Sequence, residues 1–313
     1  DHVWKPLGFL LLTIHWFNPL LWLSYVLLCR DIELACDEKV IKNLSCGQRA
    51  DYMQALVTCS VNRRRIAACP LAFGEIGVKG VNVTLTNGMQ AGLQSICYAY
   101  NVVRDGAEKM MMATGLDENT ETMKLLYGKL GYFSNEETVK PYELNGSEFV
   151  LGEGSTTMML ESEASAEARN AVKYAEIAGY AMTHESVSAG TLAGSDAALD
   201  KAIIKACENA GISVDDIDAV VGFGDGNKTV DTIEMNSYGR VFKKAKPVMS
   251  VKTVVGESRA AAANLEAVHA ALTLSGKLPA KQEAYVFENG KAVKTTVDTT
   301  DYRYMLVTSF AAG

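Results

Sequence analysis

From residue 81 onward, short apolar runs alternate along the chain with segments of helical spacing. Val81, Val83 and Leu85 alternate with polar residues, which predicts a strand, and Asn87-Gly88 is a turn signal. The segment from this turn to residue 105 is predicted to be a helix because its apolar residues recur three or four positions apart: Leu93, Ile96, Tyr100 and Val103.

The same pattern of strands and helices continues to the end of the chain. Further strands are predicted at residues 109–115, 149–151, 157–160, 219–223, 248–251 and 305–309, and another is expected to end before His184. Two amphipathic helices are predicted at residues 197–210 and 260–275, closed by Gly211 and Gly276 as C-terminal caps. This alternation predicts an α/β layered fold.

The first 80 residues have a different pattern. Residues 7–29 form a run of 23 without a formal charge, long enough to cross the hydrocarbon core of a membrane. His15, Asn18 and Pro19 lie near its middle, where an unpaired polar group and a lost helix hydrogen bond are costly. We therefore favour a kinked or re-entrant membrane helix, the alternative being a buried helical hairpin in a soluble core.

The distribution of charge predicts a domain boundary, and the cysteine usage indicates the redox state of the cellular compartment. The formal charge is −7, but residues 1–80 count +2 and residues 81–313 count −9, so we place a domain boundary near residue 80. An acidic chain of this kind is a poor binder of nucleic acid. The seven cysteines are odd in number and contain no Cys-x-x-Cys pair, which favours a reducing compartment and buried thiols.

Residues 1–80 resemble the membrane-embedded zinc peptidase domain of the beta-lactam sensor and signal transducer family. The likeness rests on HWFNPLLW, followed by RDIELACDEKVI and later by PLAFGEIGVKG. In that family a His-Glu-x-x-His helix supplies two zinc ligands, and the resemblance implies that Glu33 is the third. This chain lacks the His-Glu-x-x-His motif, so we expect no bound zinc and no peptidase activity unless the motif is restored upstream.

Residues 81–313 resemble a beta-ketoacyl synthase, a member of the thiolase-like superfamily. The motifs that carry the likeness occur in the family's order: Leu151-Gly152-Glu153-Gly154, 158–161, 175–180, 217–220, Asp231-x-x-Glu234, 250–256, 260–263 and 307–310. The resemblance implies two similar αβ halves packed in layers. Because most of the family's first half has no counterpart here, we expect a partial thiolase-like fold made mainly of the C-terminal half.

The resemblance also identifies the positions where the family keeps its catalytic groups. Condensation uses a Cys thiolate at a helix N-terminus and two His that stabilise the developing charge. The corresponding residues here are Met89 for the Cys, and Phe223 and Glu257 for the two His. None of the three can perform the family's step, because Met89 has no proton to lose and Glu257 would repel an enolate.

Three polar residues of the family motifs are retained, namely Lys252, Asp231 and Glu234. We predict that Lys252 pairs with Glu234 beneath the vacant site, the alternative being an ordinary surface salt bridge. His184 and His269 are interpreted as structural residues, and no cofactor is expected.

These features favour a non-catalytic ketosynthase-like subunit of fatty acid or polyketide biosynthesis, similar to a chain-length factor. Such a subunit implies an active ketosynthase and an acyl carrier protein as partners. Residues 81–313 are expected in the cytoplasm, with membrane contact through residues 7–29. The alternatives are a remnant of a membrane zinc peptidase, or a fusion of two fragments that share no function.

Overall fold

The computed structural model describes residues 83–86, 88–130, 139–144, 150–184, 197–288 and 290–310. The chain divides into two compact units, Asp1–Val78 and Lys79–Gly313, and every described residue belongs to the second. The predictions for residues 1–80, including Glu33 and the apolar run at 7–29, lie outside the described residues. Within the described ranges, no helix combines the length and the hydropathy needed to cross a membrane.

The first part of the second unit is built around a helix and a two-stranded antiparallel sheet. Its elements are a short 3-10 turn at Gly88–Gln90, α1 (Ala91–Arg104), β1 (Met110–Asp117), α2 (Glu121–Leu130), β2 (Gly154–Glu161) and α3 (Glu163–Ala168). Met110 lies opposite Glu161 at one end of the β1–β2 ladder, and Asp117 lies opposite Gly154 at the other. One face of this ladder packs on α1, because Ala113 and Leu160 form a buried cluster with Ile96.

The second part is a five-stranded mixed sheet with helices. Its elements are α4 (Ala197–Ala210), β3 (Ala219–Val221), α5 (Lys228–Val241), β4 (Val248–Met249), α6 (Lys252–Val255), α7 (Ala260–Leu274), β5 (Lys281–Glu288), β6 (Lys291–Asp298) and β7 (Met305–Val307). The strand order is β6-β5-β4-β3-β7. The strand β3 runs parallel to β4 and β7, whereas β4–β5 and β5–β6 are antiparallel.

Helix α7 joins the two parts, since it packs against α1, β1 and β2 as well as β3 and β7. Small residues allow this close approach: a Cβ on Gly92 of α1 would lie 2.0 Å from the Ala260 carbonyl oxygen, and one on Gly115 of β1 would lie 2.1 Å from it. Asn264 of α7 donates to the Ala113 carbonyl oxygen at 3.1 Å. The start of α7 is therefore held directly against the start of α1.

Most of the predicted elements are confirmed. The helices at residues 91–104, 197–210 and 260–274 follow the predicted periodicity, and Gly211 and Gly276 adopt the positive φ angles expected after a helix. The strands predicted at residues 109–115, 157–160, 219–223, 248–251 and 305–309 are also present, most of them shorter than predicted.

Three predicted strands are wrong in the described residues. Residues 83–86 form no strand, and residues 171–184 run to His184 without strand pairing. Of the strand predicted at 149–151, Leu151 forms only an isolated bridge with Glu257. Local alternation alone does not make a strand, because a strand also needs a partner in register.

Candidate functional site

The residues at two of the three predicted catalytic positions meet in one buried cluster. Met89, Phe223 and Val230 form this cluster, against which Tyr127 and Phe310 pack. Met89 lies in the 3-10 turn that leads into α1, and Phe223 comes two residues after β3. Because β3 and β7 are parallel neighbours, their C-terminal ends bring Phe223 and Phe310 together, with ring centroids 5.6 Å apart. The result is an apolar wall at the end of the sheet.

The third position is occupied by a buried ion pair. Lys252 begins α6, and its ammonium lies 2.7 Å from Oε2 of Glu257 and 3.4 Å from Oε1 of Glu266. The same nitrogen lies 3.0 Å from the centroid of the Phe223 ring, an attractive position for a cation over an aromatic face. Gly256 has a φ of 70°, and this left-handed residue turns the chain between α6 and Glu257. Phe223 and Glu257 thus enclose one ammonium.

This geometry corrects the predicted pairing of Lys252 with Glu234, because the partners of Lys252 are Glu257 and Glu266. The alternative of a surface salt bridge is also wrong, since the side chains of Lys252 and Glu257 are both fully buried.

Glu234 is saturated by other donors, which explains why it does not pair with Lys252. Its Oε1 accepts hydrogen bonds from Phe223 N at 2.9 Å, Tyr238 OH at 2.6 Å and Thr308 Oγ1 at 3.0 Å. Its Oε2 accepts from Gly224 N at 2.8 Å and Tyr142 OH at 3.1 Å. Glu234 therefore ties the turn after β3 to α5 and to the end of β7.

Asp231 has a related structural contact one turn earlier on α5. Its Oδ2 accepts a hydrogen bond from Tyr142 N at 2.6 Å. Asn227 caps the helix, because its side chain accepts from Thr229 N and Val230 N. The retained Asp231 and Glu234 thus both anchor Tyr142, and they fix the position of α5 beside the cluster.

Several acidic side chains lie near Lys252, and together we call them the acidic cluster. Asp225, Asp231, Glu234, Glu257 and Glu266 are all buried. Among the residues that the structure describes, the one other buried cation is Arg259, which forms an ion pair with Asp117. Within the described ranges, buried carboxyl groups therefore outnumber buried cations.

The pKa values of the buried groups follow from this imbalance. Burial, opposed by Lys252 and reinforced by Glu257, raises the pKa of Asp225 to about 7. Burial also raises the pKa of Glu266 well above its usual range, although Lys252 opposes the change. For Lys252 burial alone would lower the pKa, but Glu257, Glu266 and Asp225 outweigh it and raise the value. Lys252 is therefore held as a cation.

Burial shifts the pKa of the Cys97 thiol and of the His269 imidazole. Cys97 lies on α1 eight residues beyond Met89, and burial raises its pKa to about 12, so at neutral pH it is a thiol and not a thiolate. His269 lies on α7, and burial lowers its pKa. Over the described parts of the chain, no group of three or more His, Cys, Asp and Glu residues could hold a metal ion.

Two members of the acidic cluster, Asp225 and Glu266, were missed in the sequence analysis. Glu266 is the one acidic residue of the largely apolar helix AAAANLEAVHAALTL. A charged side chain in such a helix needs a partner, and its burial beside Lys252 supplies one. No comparable pattern identifies Asp225, because GFGDGN has the composition of an ordinary turn.

Three family models match the chain. The model described as BlaR1 peptidase M56 matches residues 1–79. The beta-ketoacyl synthase N-terminal domain matches residues 42–166, and the C-terminal domain of the same family matches residues 174–283. The two synthase models together cover more than half of the chain, and the first of them overlaps the peptidase model at residues 42–79.

Similar proteins come from the same enzyme family. The tetracenomycin polyketide synthase ketoacyl synthase alpha subunit of Streptomyces glaucescens is 26% identical over 67% of this chain and 52% of its own length. The 3-oxoacyl-acyl-carrier-protein synthase 2 of Staphylococcus aureus is 27% identical over 64% of this chain and 52% of its own. The chain therefore spans about half the length of these curated relatives.

A solved structure supports the fold. The ishigamide ketosynthase/chain length factor superposes with a TM-score of 0.58 and 27% identity, covering 61% of this chain and 47% of its own. This likeness agrees with the mixed α/β architecture that the described residues form.

The acidic cluster predicts a pH dependence that can be assigned to Asp225. The folded pKa of about 7 lies above the ordinary value of about 3.9, so the folded state keeps a proton that the unfolded state has lost. Stability should therefore fall as the pH rises from about 4 to about 7. Asp225→Asn removes this loss, and the variant should gain stability relative to wild type by on the order of 1 kcal/mol per pH unit between pH 5 and 7.

Urea unfolding at several pH values measures this difference. Asp215→Asn is the matched control, because hydrogen bonding to Lys243 lowers the pKa of that exposed carboxyl, so the stability difference between this variant and wild type should not change between pH 5 and 8. An Asp225→Asn variant whose stability parallels wild type from pH 5 to pH 8 would refute the role of Asp225.

Proposed function

Because the chain belongs to the beta-ketoacyl synthase family, we propose that it is a non-catalytic ketosynthase-like subunit of fatty acid or polyketide biosynthesis. In this proposal residues 81–313 form the synthase-like domain, and residues 1–80 are a helical fragment of peptidase type. In this proposal the chain keeps the architecture with which the family holds acyl chains but does not carry out the condensation reaction.

The residue at the position of the family's nucleophile supports the absence of condensation activity. We assign Met89 to the place of the family's Cys, at the turn into α1. A thioether sulfur carries no proton, so it cannot become the thiolate that attacks an acyl thioester. Met89 is buried against Phe223, and this contact fills the place with an apolar side chain.

The two positions assigned to the family's His residues support the same conclusion. An imidazole can donate a hydrogen bond to a developing enolate oxygen, whereas Phe223 can donate none. Glu257 directs its carboxylate to Lys252 at 2.7 Å. Its negative charge would oppose the formation of a second negative charge beside it.

The single observation that carries the proposal is the buried Lys252 ammonium between the Phe223 ring and the Glu257 carboxylate. Two of the three changed positions contact this one group. Phe223 and Glu257 are therefore compatible with each other in the fold, because both contact the buried ammonium of Lys252.

A subunit of this kind acts through its partners. We propose that it assembles with an active ketosynthase and receives the acyl chain from an acyl carrier protein, as a chain-length factor would. The similarity to a solved protein whose title names a ketosynthase/chain length factor supports this role. We place this activity in the cytoplasm, where the acyl carrier protein would be available.

Acyl transfer tests the proposal directly. The purified chain, incubated with malonyl- and acyl-loaded carrier protein, should form no condensation product, and intact-mass analysis should show no acyl adduct and no adduct with a cerulenin-like thiol reagent at position 89. An active ketosynthase in the same assay is the positive control. Condensation that Met89→Ala abolishes would contradict the proposal.

The match of residues 1–79 to the peptidase model favours a second candidate for that segment. In this second candidate the chain would be a remnant of a membrane-bound zinc peptidase of the antibiotic-sensor type, tethered to the membrane through residues 7–29. The remaining alternative is a fusion of two fragments that share no function. Glu33 would be its vestigial zinc-ligand position.

Metal analysis tests whether the peptidase-type segment still binds zinc. We expect the purified full chain to contain far less than one zinc per molecule, because Glu33 has no His-Glu-x-x-His partners in this sequence. Stoichiometric zinc that Glu33→Gln removes would instead support the peptidase candidate.

A further inference from the structure

The β1–β2 ladder has one open face, and three methionines lie on it. Met112 lies opposite Met159 across the ladder, and Met110 comes two residues earlier on β1. Met112, Met159 and Met110 are 41%, 51% and 38% exposed. Because side chains alternate between the faces of a strand, Met111 and Met158 point the other way, and both pack against the buried cluster shared with α1. The hairpin therefore holds thioethers in two environments, one open and one covered.

A pair of hydroxyl groups lies on the same open face, beside the Met112–Met159 pair. Thr114 Oγ1 and Thr157 Oγ1 are 3.0 Å apart, and either can donate to the other. Each threonine is two residues from a methionine on its own strand, a separation of about 7 Å between Cα atoms. A flexible methionine side chain can bring its sulfur toward the hydroxyls across this distance. The mutual hydrogen bond uses one of the two hydroxyl protons, so the other proton can be donated to a bound molecule.

These groups fit the transfer of oxygen from a hydroperoxide to a thioether. The sulfur attacks the peroxide oxygen that carries the proton, an S–O bond forms and the O–O bond breaks. The proton of the transferred oxygen must reach the leaving oxygen. The Thr114–Thr157 pair can relay it, because one hydroxyl donates its proton to the leaving oxygen while the pair accepts the proton of the transferred oxygen. The sulfur loses two electrons, the hydroperoxide is reduced to an alcohol or to water, and both hydroxyls are restored.

We propose that Met112 and Met159 form a methionine oxidation site, at which a hydroperoxide converts the two thioethers to sulfoxides with the aid of the Thr114–Thr157 hydroxyl pair. The product has two polar side chains where the open face had two apolar ones. Methionine sulfoxide reductases reverse this modification. The site is independent of the proposed function, since none of its residues belongs to the buried centre around Lys252.

Met182 distinguishes this proposal from an effect of exposure alone. Its side chain is 60% exposed, more than either methionine of the site, and it lies outside the strands. The neighbouring Thr183 hydroxyl already donates to the Ala198 carbonyl oxygen at 2.8 Å, so its proton is in use. Exposure alone would make Met182 react first, whereas the proposal makes Met112 and Met159 react first.

Peptide mass spectrometry of the full chain, after limited treatment with hydrogen peroxide, tests this order of reaction. We expect Met112 and Met159 to gain oxygen severalfold faster than Met182, and the covered Met111 and Met158 to react last. Fragment ions assign each added oxygen to one residue. Oxidation of Met182 as fast as that of the pair, or of the covered methionines as fast as the pair, would overturn the proposal.

Removal of the hydroxyls tests the relay. The double variant Thr114→Val/Thr157→Val keeps β-branched side chains in the ladder and removes both hydroxyl groups. It should slow the oxidation of Met112 and Met159 severalfold and leave the rate at Met182 unchanged. Unchanged rates at Met112 and Met159 would contradict the proposal.

Two controls accompany the double variant. Thr296→Val makes the same change at an exposed position of β6, and it should leave every oxidation rate unchanged. Continued slow oxidation of the covered Met158 shows that the ladder of the double variant is still folded. If Met158 becomes reactive, Thr157→Val alone replaces the double variant, because it breaks the same mutual hydrogen bond and should slow the same two methionines.

Discussion

The buried ammonium of Lys252 is the interaction on which the rest of the candidate site depends. Removing a charge from water costs several kcal/mol, and this cost is offset only where the charge is closely paired. Here Glu257 lies at 2.7 Å, Glu266 at 3.4 Å and the Phe223 ring at 3.0 Å. The residues assigned to both of the family's His positions, Phe223 and Glu257, therefore lie against one buried cation.

A second network holds these partners in place. Glu234 accepts hydrogen bonds from the backbone N–H groups of Phe223 and Gly224, and so fixes the turn that carries the Phe223 ring over Lys252. The same carboxylate bonds to Tyr142, Tyr238 and Thr308. Buried carboxyl groups outnumber buried cations in the described part of the chain, and burial raises the pKa of Asp225 and of Glu266. The retained family residues Asp231 and Glu234 thus have structural hydrogen bonds of their own.

The parts of the fold that follow local periodicity could be predicted from the sequence, whereas those that depend on pairing could not. The helices α1, α4 and α7 have apolar spacing, and the last two have glycine caps. The hairpin β5–β6 was not predicted, although Asn289-Gly290 between its two strands is a hairpin turn signal in the sequence. In the site, the positions of Met89, Phe223 and Glu257 were assigned through the family resemblance. The prediction that Lys252 pairs with Glu234 was wrong. Sequence does not indicate that Glu234 is already saturated by hydrogen bonds.

A double-mutant cycle on Lys252 and Glu257 tests the central claim most directly. Unfolding free energies would be measured for wild type, Lys252→Met, Glu257→Gln and the double variant. Each single change leaves a buried polar partner uncompensated, whereas the double change removes both charges. We predict a coupling energy of about 2 kcal/mol or more. Effects that add to within about 0.5 kcal/mol would show that the two side chains act independently, and would contradict the account.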